Sequence, residues 1–343
     1  MTAPAGTAPR AGGGAPTALL IPSLAGVMAV AFAASLAVGP AGLGSGELIA
    51  ALLGQGSEGA RIILLEVRLP RAILGLLVGG TLGLAGAALQ GFLRNPLAEP
   101  GLIGVSASAA LGAVLMLYTG LAAAATLALP LGGIAGALAG MLAVQALAGR
   151  DTGPLNLILA GVAVTSFAGA ATALVLNLAP SPFAALEIVF WMMGSLADRS
   201  FVHVWLAAPF VAAGAALLLT LGRALDALTL GEDTARTLGI NLPGVRRRLL
   251  LGMALAVGAA TAVAGSIGFV GLVVPHLLRP LARHRPGLVL PASALGGAAL
   301  TLIADVAVRL LSPGRELKLG VLTALVGAPF FLWLVLAMRR RFA

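Results

Sequence analysis

Cysteine is absent from the 343 residues, and charged side chains are scarce. Without cysteine the chain can form no disulfide, no thiolate nucleophile and no cysteine-ligated metal site. Charged residues make up 10% of the chain, against about 25% in soluble domains. Because 59% of the residues are hydrophobic, a water-soluble fold could not bury the apolar surface. The composition therefore predicts a protein whose solvent is lipid.

Lysine is nearly absent too, since Lys318 is the only one. A phosphate-binding loop of the form GxxxxGK[ST] is thereby excluded, so nucleotide hydrolysis must come from another chain. The three histidines, His203, His276 and His284, are scattered, with no carboxylate at metal-ligand spacing. We expect no metal site, no bound cofactor and, because no catalytic set is visible, no enzymatic activity in this chain.

The apolar residues form continuous runs of about 20, the length of a membrane-spanning helix, whereas barrel strands would alternate. We therefore predict an all-α membrane protein with ten spans, and an interfacial helix at 184–199. Residues 1–16, rich in Ala, Gly and Pro, are predicted to be a disordered tail, and 17–343 a single transmembrane domain. The predicted spans are 17–39, 70–92, 98–118, 121–148, 155–178, 201–222, 249–264, 270–283, 288–308 and 319–337.

An even number of spans places both termini on one side. With the termini inside, the inner segments hold 14 arginines and the outer segments seven basic residues. The positive-inside rule favours this orientation, with both termini cytoplasmic. It also explains the net charge of +9 without a nucleic-acid partner.

The chain also has a weak internal symmetry. The second span ends in AGAALQGFL and the seventh in AVAGSIGFVG, each followed by a proline-broken stretch. The arginine-containing entries, RLPR and RRR, lie on opposite sides of the membrane. This pattern is typical of an inverted repeat, here of spans 2–5 and 7–10.

Three of the six arginines on the predicted outer side stand out, because their neighbours suggest a partner. Arg68 and Arg71 share one helix face and could receive a carboxylate of another protein. They could instead anchor the helix at the interface or pair with Glu66. Arg309 follows Asp305 by four residues, a spacing at which the two would pair within one helix.

Two further patterns have both a structural and a functional interpretation. Gly75, Gly79 and Gly83 share a helix face, which favours close helix packing but could also line a path. The segment LGEDTARTLGI has acids in its first turn and Gly239 as its stop, so it is predicted to be a short helix. It could be a docking element on the inner side or a solvated connector.

Four long motifs occur in order: RLPRAILGLLVGGTLGLAGAALQGFLRNPLAEPGLIGVS, LGEDTARTLGI, GSIGFVGLVVPHLLR and LGVLTALVGAPFFLWL. They resemble the permease subunits of iron-siderophore, haem and cobalamin ABC importers, the FecCD family. The resemblance covers essentially everything after residue 40. It implies the type II ABC importer fold, with ten helices per subunit, in a bacterial inner (plasma) membrane.

The resemblance also implies partners. Two permease subunits would lie side by side, with the translocation path at their interface. Two cytoplasmic ATP-binding cassette subunits would bind ATP and Mg²⁺ and drive the switch between outward- and inward-facing states. An extracytoplasmic binding protein would deliver the substrate. The identity of the chelate, and whether the permease pair is a homodimer or a heterodimer, stay open.

Residue by residue, the resemblance assigns three sites. Arg68, Arg71 and Arg309 match arginines that pair with glutamates on the binding protein. Asn95 and Leu97 match a cytoplasmic gate. Within the inner segment 223–248, the residues that match the helix coupling the permease to the ATPase are Gly231, Glu232, Asp233, Arg236, Leu238 and Gly239.

An ion-coupled secondary transporter is the alternative, since it would also have an inverted repeat. It would need charged or unwound ion sites at midplane, and Asp305 is the only acid expected near membrane depth. A membrane-embedded enzyme is disfavoured because no catalytic set is visible.

Overall fold

The computed structural model describes residues 17–39, 42–149, 153–312 and 317–342, and in these ranges it is helical with no strand. The predicted tail 1–16 lies outside the described residues. The first eight α-helices are α1 (Leu20–Ala37), α2 (Ser45–Leu52), α3 (Glu58–Ile62), α4 (Leu69–Leu93), α5 (Val105–Tyr118), α6 (Leu121–Ala124), α7 (Ala128–Ala148) and α8 (Pro154–Asn177). The others are α9 (Pro182–Met192), α10 (Phe201–Leu219), α11 (Gly222–Leu228), α12 (Glu232–Thr237), α13 (Leu242–Ala264), α14 (Val270–Leu281), α15 (Pro286–Leu311) and α16 (Leu319–Phe342).

Proline and short polar side chains set many of the helix starts. Pro154, Pro182 and Pro286 open α8, α9 and α15, where the missing N–H would have no helical partner anyway. Asn241 caps α13, because its Oδ1 accepts a hydrogen bond from the Gly244 N–H at 3.1 Å. These local signals place the helix ends where the apolar runs stop.

The described residues contain eight helical segments that are long and apolar enough to cross a membrane. Of the three shorter apolar helices in these residues, α5 and α14 lie where spans are predicted and have 14 and 12 residues. At 1.5 Å per residue they extend about 21 and 18 Å, less than the ~30 Å hydrocarbon core. The two short helices complete the predicted set of about ten, and the all-α membrane fold is confirmed.

Both short helices begin inside the protein at a residue with left-handed backbone. Gly104 (φ 78°) precedes α5, and Phe269 (φ 67°) precedes α14. The third span, predicted at 98–118, therefore starts only at Val105, because Pro96 and Pro100 cannot continue a helix.

The polar segment 223–248 is more helical than expected. It contains α11, α12 and the first turns of α13. The seventh span begins at Leu242 instead of 249, so Arg246, Arg247 and Arg248 belong to the helix. Long arginine side chains allow this, because their apolar stems can lie along a helix end while the guanidinium reaches a polar region.

The packing follows the inverted repeat. Helices α4, α5, α7 and α8 form one half, and α13, α14, α15 and α16 form the other. The first helix of each half packs against the second and third helices of the other half: α4 against α14 and α15, α13 against α5 and α7. Because α4 and α13 each pack against two helices of the opposite half, they form the buried centre of the molecule.

The glycine face of α4 is a helix-packing surface. A methyl group on Gly83 would overlap the Ser293 carbonyl of α15, and one on Gly79 would overlap that of Gly297. Leu302 lies against Gly75 in the same way. The backbones of α4 and α15 can approach this closely only because the side chains are missing, which confirms the packing interpretation.

Candidate functional site

The three predicted docking arginines meet at one corner of the molecule, around the carboxylate of Asp305. Arg71 binds Asp305 in a two-pronged manner, with Nε to Oδ2 at 3.0 Å and an Nη to Oδ1 at 2.8 Å. Arg309 reaches Oδ2 of the same carboxylate at 2.9 Å. We call Arg68, Arg71, Asp305 and Arg309 the arginine cluster. Asp305 is 1% exposed, so this carboxylate is neutralised from two sides inside the protein.

Arg68 and Arg309 also cap the carboxyl end of α1. Arg68 donates to the carbonyls of Leu36 and Ala37, both at 2.9 Å. Arg309 donates to the carbonyl of Ser35 at 2.8 Å and to its hydroxyl at 2.7 Å. The last carbonyls of a helix have no partner within the helix, so the two guanidinium groups satisfy them and hold α1 against α4 and α15.

The three arginines differ in how far they are exposed, and their role in docking a binding protein stays a prediction. Arg68 is 4% exposed, and the Arg309 side chain 6%. Arg71 has the most exposed side chain of the three, at 18%. The carboxylate that the structure brings to Arg71 is Asp305, more than 230 residues away in sequence. The i, i+4 pairing of Arg309 with Asp305, which the sequence suggested, is confirmed.

The predicted gate residues lie in the connection after α4. Arg94 ends α4 with left-handed backbone (φ 50°), and the Asn95 N–H returns to the Gln90 carbonyl at 3.2 Å. The Asn95 side chain then accepts a hydrogen bond from the Leu97 N–H at 2.9 Å. Asn95 and Leu97 thus form one small turn, and both are half-buried.

Three polar residues beside this turn were not singled out from the sequence. Gln90 is 1% exposed; its amide donates to the Gly271 carbonyl of α14 at 3.2 Å and accepts from Arg279 at 2.7 Å. Glu99 accepts from the Phe269 N–H at 2.6 Å. An acid and an amide inside otherwise apolar motifs were the available signal, because buried polar groups in a membrane protein need a specific partner.

The α12 segment, Gly231–Gly239, is a short surface helix with a glycine at each end. Both glycines have positive φ, 102° and 82°, which turns the chain sharply on either side of the six-residue helix. Ala235 is fully buried, and the helix packs against α11. Leu238 is 60% exposed. The other exposed side chains of α12 are those of Asp233, Thr234, Arg236 and Thr237.

The arginine cluster and the α12 segment lie at opposite ends of the molecule. The Gly287 N–H, in the first turn of α15, donates to Asp226 of α11 at 2.8 Å, which places α11 and α12 at that end. Arg309 lies 22 residues further along α15, or about 33 Å at 1.5 Å per residue. This separation is about the thickness of the hydrocarbon core.

Metal-ligating side chains are dispersed through the structure. Within the part of the chain that it describes, no three His, Asp or Glu residues come together as a metal site would require. The features that remain are a multi-pass helical fold with an inverted repeat, a charged corner at one end and an exposed short helix at the other. They define a membrane transporter subunit.

Comparison with known proteins gives the family. Residues 27–337 match the FecCD transport family, and the chain belongs to it. The chain is 41% identical over 285 residues to an uncharacterised ABC transporter permease of Bacillus subtilis, which covers 81% of this chain and 80% of that protein. It is 40% identical over 281 residues to the cobalamin import system permease of Halobacterium salinarum, covering 81% and 74%.

A third relative is the Fe(3+) dicitrate transport system permease of Escherichia coli, 39% identical over 279 residues, covering 81% of this chain and 86% of that one. Among solved structures, an ABC transporter assigned to the metal-chelate type, in an inward-facing conformation, superposes with a TM-score of 0.81 at 30% identity. It covers 93% of this chain and 99% of the other. The chain is therefore a permease subunit of the ABC importer type.

Proposed function

We propose that this permease carries an iron-siderophore, a haem or a cobalamin-like compound across the membrane, driven by ATP that a separate subunit hydrolyses. The observation that carries the proposal is the α12 segment. It presents a folded helix with Asp233, Arg236 and Leu238 exposed, in a chain that has no phosphate-binding loop. Relatives named for cobalamin, hemin and Fe(3+) dicitrate transport support the substrate class.

The α12 segment is proposed as the coupling helix, and the end of the molecule that carries it as cytoplasmic. A cleft on each of two ATPase subunits would receive it, with exposed charges on its polar face and Leu238 as an apolar contact. Both chain termini lie on the same side in this proposal. A second permease subunit, identical or related, completes the translocation path. Asn95 and Leu97 form the cytoplasmic gate of that path.

The arginine cluster is proposed as the docking corner for an extracytoplasmic binding protein. Arg71 is the contact residue favoured by the structure, because its side chain is the most exposed of the three. A carboxylate of the binding protein would join Asp305 on the same guanidinium. Arg68 and Arg309 contribute by holding α1 and the surrounding backbone in place.

The transport proposal is tested in proteoliposomes that contain the permease with its ATPase. Uptake of ferric dicitrate, haemin and cobalamin is measured with ATP on the ATPase side and the binding protein on the other. We expect uptake of one of these compounds only when both are present. Uptake by the permease alone, driven by an ion gradient, would instead support a secondary transporter.

The docking proposal is tested by Arg71→Gln, with Arg61→Gln as the control. Arg61 is an exposed arginine on the preceding helix α3, so it reports on the loss of one charge near the same corner. We expect Arg71→Gln to lose the stimulation of ATP hydrolysis by the binding protein while basal hydrolysis persists. Full stimulation in Arg71→Gln would rule out the docking role.

A further inference from the structure

Glu99 links the connection between α4 and α5 to the residues that precede α14. It lies between α4 and α5, in extended backbone ahead of a single 3-10 turn, Pro100–Ile103. Its Oε1 accepts a hydrogen bond of 2.6 Å from the Phe269 N–H, and Phe269 is the residue from which α14 starts. Pro100 lies directly against Gly271, where an added methyl group would approach the proline ring to 2.9 Å. The start of α14 is thus fastened to the connection that carries the proposed gate.

A carboxylate suits this position for two reasons. The first N–H groups of α14 have no helical partner, and the amino end of a helix attracts negative charge. Phe269 also holds a left-handed backbone (φ 67°), which a non-glycine residue adopts only where its surroundings fix it. Glu99 supplies both the acceptor and the charge at this strained start.

The other end of the connection between α4 and α5 is also attached to α14, through Gln90. Gln90, on the last turn of α4, donates to the carbonyls of Gly271 and Leu272 at 3.2 and 3.3 Å. Asn95 and Leu97 lie between Gln90 and Glu99 in sequence. The gate turn is therefore bracketed by two hydrogen-bonded attachments to the first turn of α14.

The same turn of α14 is in contact with α16. A methyl group on Gly327 of α16 would overlap the Phe269 side chain, so the phenyl group lies directly on the α16 backbone. A displacement of α16 or α14 would be transmitted through Phe269 to Glu99, because close-packed elements shift together rather than deform.

We propose that Glu99 is the positioning residue of the gate. Its hydrogen bond to Phe269 makes the segment 94–99 move as one body with α14 and α16. This inference rests on the proposed role of Asn95 and Leu97 as a gate, and it assigns to Glu99 no contact with the substrate. The acceptor oxygen at the correct distance is the essential feature.

The test uses Ala98→Cys as a reporter in a chain that has no other cysteine. Ala98 is 1% exposed, so a membrane-impermeant maleimide would label it only when the segment 94–99 opens. Labelling rates are measured on the permease–ATPase complex in proteoliposomes, with and without ATP. Glu99→Gln, Glu99→Asp and Glu99→Ala are compared on this background, and Glu187→Ala, an exposed acid on α9, is the control.

We expect Glu99→Gln to label within about fivefold of the parent rate, because the amide keeps an acceptor oxygen at the same reach and loses only the attraction of a negative charge to the helix start. Glu99→Asp is one methylene shorter, and we expect it to label at least about tenfold faster, because the Phe269 N–H is then left without an acceptor within hydrogen-bond distance. Glu99→Ala should behave like Glu99→Asp, and in both variants ATP should no longer change the rate. Glu187→Ala should match the parent.

Parent-like labelling of Glu99→Asp would overturn the inference, and this variant keeps the test decisive if Glu99→Ala does not assemble. Equally fast labelling of Glu99→Gln and Glu99→Asp would overturn it too, since the acceptor oxygen would then not matter. The gate proposal fails separately, if ATP leaves the labelling rate of the parent reporter unchanged.

Discussion

The arginine cluster and the α12 segment lie at opposite ends of α15. The charges of the cluster are paired within the protein, whereas those of the α12 segment face solvent. In the cluster, Arg71 and Arg309 converge on one buried carboxylate, and two arginines also bind the end of α1. In the α12 segment, Asp233 and Arg236 are exposed to solvent, and the anchor is the apolar Ala235.

The comparison separates a charge that stabilises the fold from a charge that is available to a partner. Breaking a buried ion pair leaves a charge without compensation, at about 3–5 kcal/mol. Exposed charges contribute about 0–1 kcal/mol to stability. The cluster should therefore tolerate change poorly and the α12 segment well, even though both were assigned to docking.

The largest effect on stability is expected from Asp305→Ala. It would leave Arg71 and Arg309 side by side without their carboxylate, and we expect a loss of about 3–5 kcal/mol in the free energy of unfolding. The measurement is the thermal unfolding midpoint of the purified permease in detergent. Asp233→Ala, the matched loss of an exposed acid, should change stability by no more than about 0.5 kcal/mol. Similar midpoints for the two variants would contradict the comparison.

A smaller effect, which sharpens the roles inside the cluster, is expected from Arg309→Met and Arg71→Met. Losing Arg309 would leave the Ser35 carbonyl of α1 without this donor, at about 1–3 kcal/mol for a buried group, while Arg68 keeps the carbonyls of Leu36 and Ala37. Among the residues that the structure describes, Arg71 bonds to Asp305 alone, so its loss should leave α1 intact. Amide hydrogen exchange at the carboxyl end of α1 should rise in Arg309→Met and stay unchanged in Arg71→Met. Equal exchange in both would show that Arg309 does not hold α1.

The difference between the two regions also explains how far the sequence could predict the molecule. Long apolar runs predict helices because lipid leaves the backbone no other partner. The α12 helix, the glycine face of α4 and the Arg309–Asp305 pair are local patterns within one helix or loop. Each of them depends on residues a few positions apart, and each is found in the structure.

Contacts between distant helices could not be predicted in the same way. The partner of Arg71 is 234 residues away, and that of Glu99 is 170 residues away. From sequence, Arg71 has Glu66 as its nearby acid, and Glu99 reads as part of a polar loop. Which helices pack together decides these pairings, and the inverted repeat gives the order of the helices without the register of their contacts.

A third prediction concerns salt. In 1 M NaCl the screening length is about 3 Å, against about 10 Å at 0.1 M, but screening is weak for buried pairs. We expect the destabilisation caused by Asp305→Ala to change by less than about 0.5 kcal/mol between these conditions. The affinity of the permease for its ATPase should fall over the same range if exposed charges of the α12 segment contribute. The comparison would be contradicted if salt changed the destabilisation caused by Asp305→Ala but left the affinity for the ATPase unchanged.

The smallest effect on stability is expected where the effect on function is largest. Glu232→Ala combined with Arg236→Ala removes two charges from the α12 segment but leaves Ala235 in its seat, so the unfolding midpoint should move by no more than about 1 kcal/mol. Association with the ATPase, measured by co-purification, and ATP-driven uptake should both be lost. Arg247→Ala, an exposed arginine on α13 near the same end, is the control and should keep both. Since stability and partner binding separate in this variant, intact association would show that Glu232 and Arg236 do not bind the ATPase.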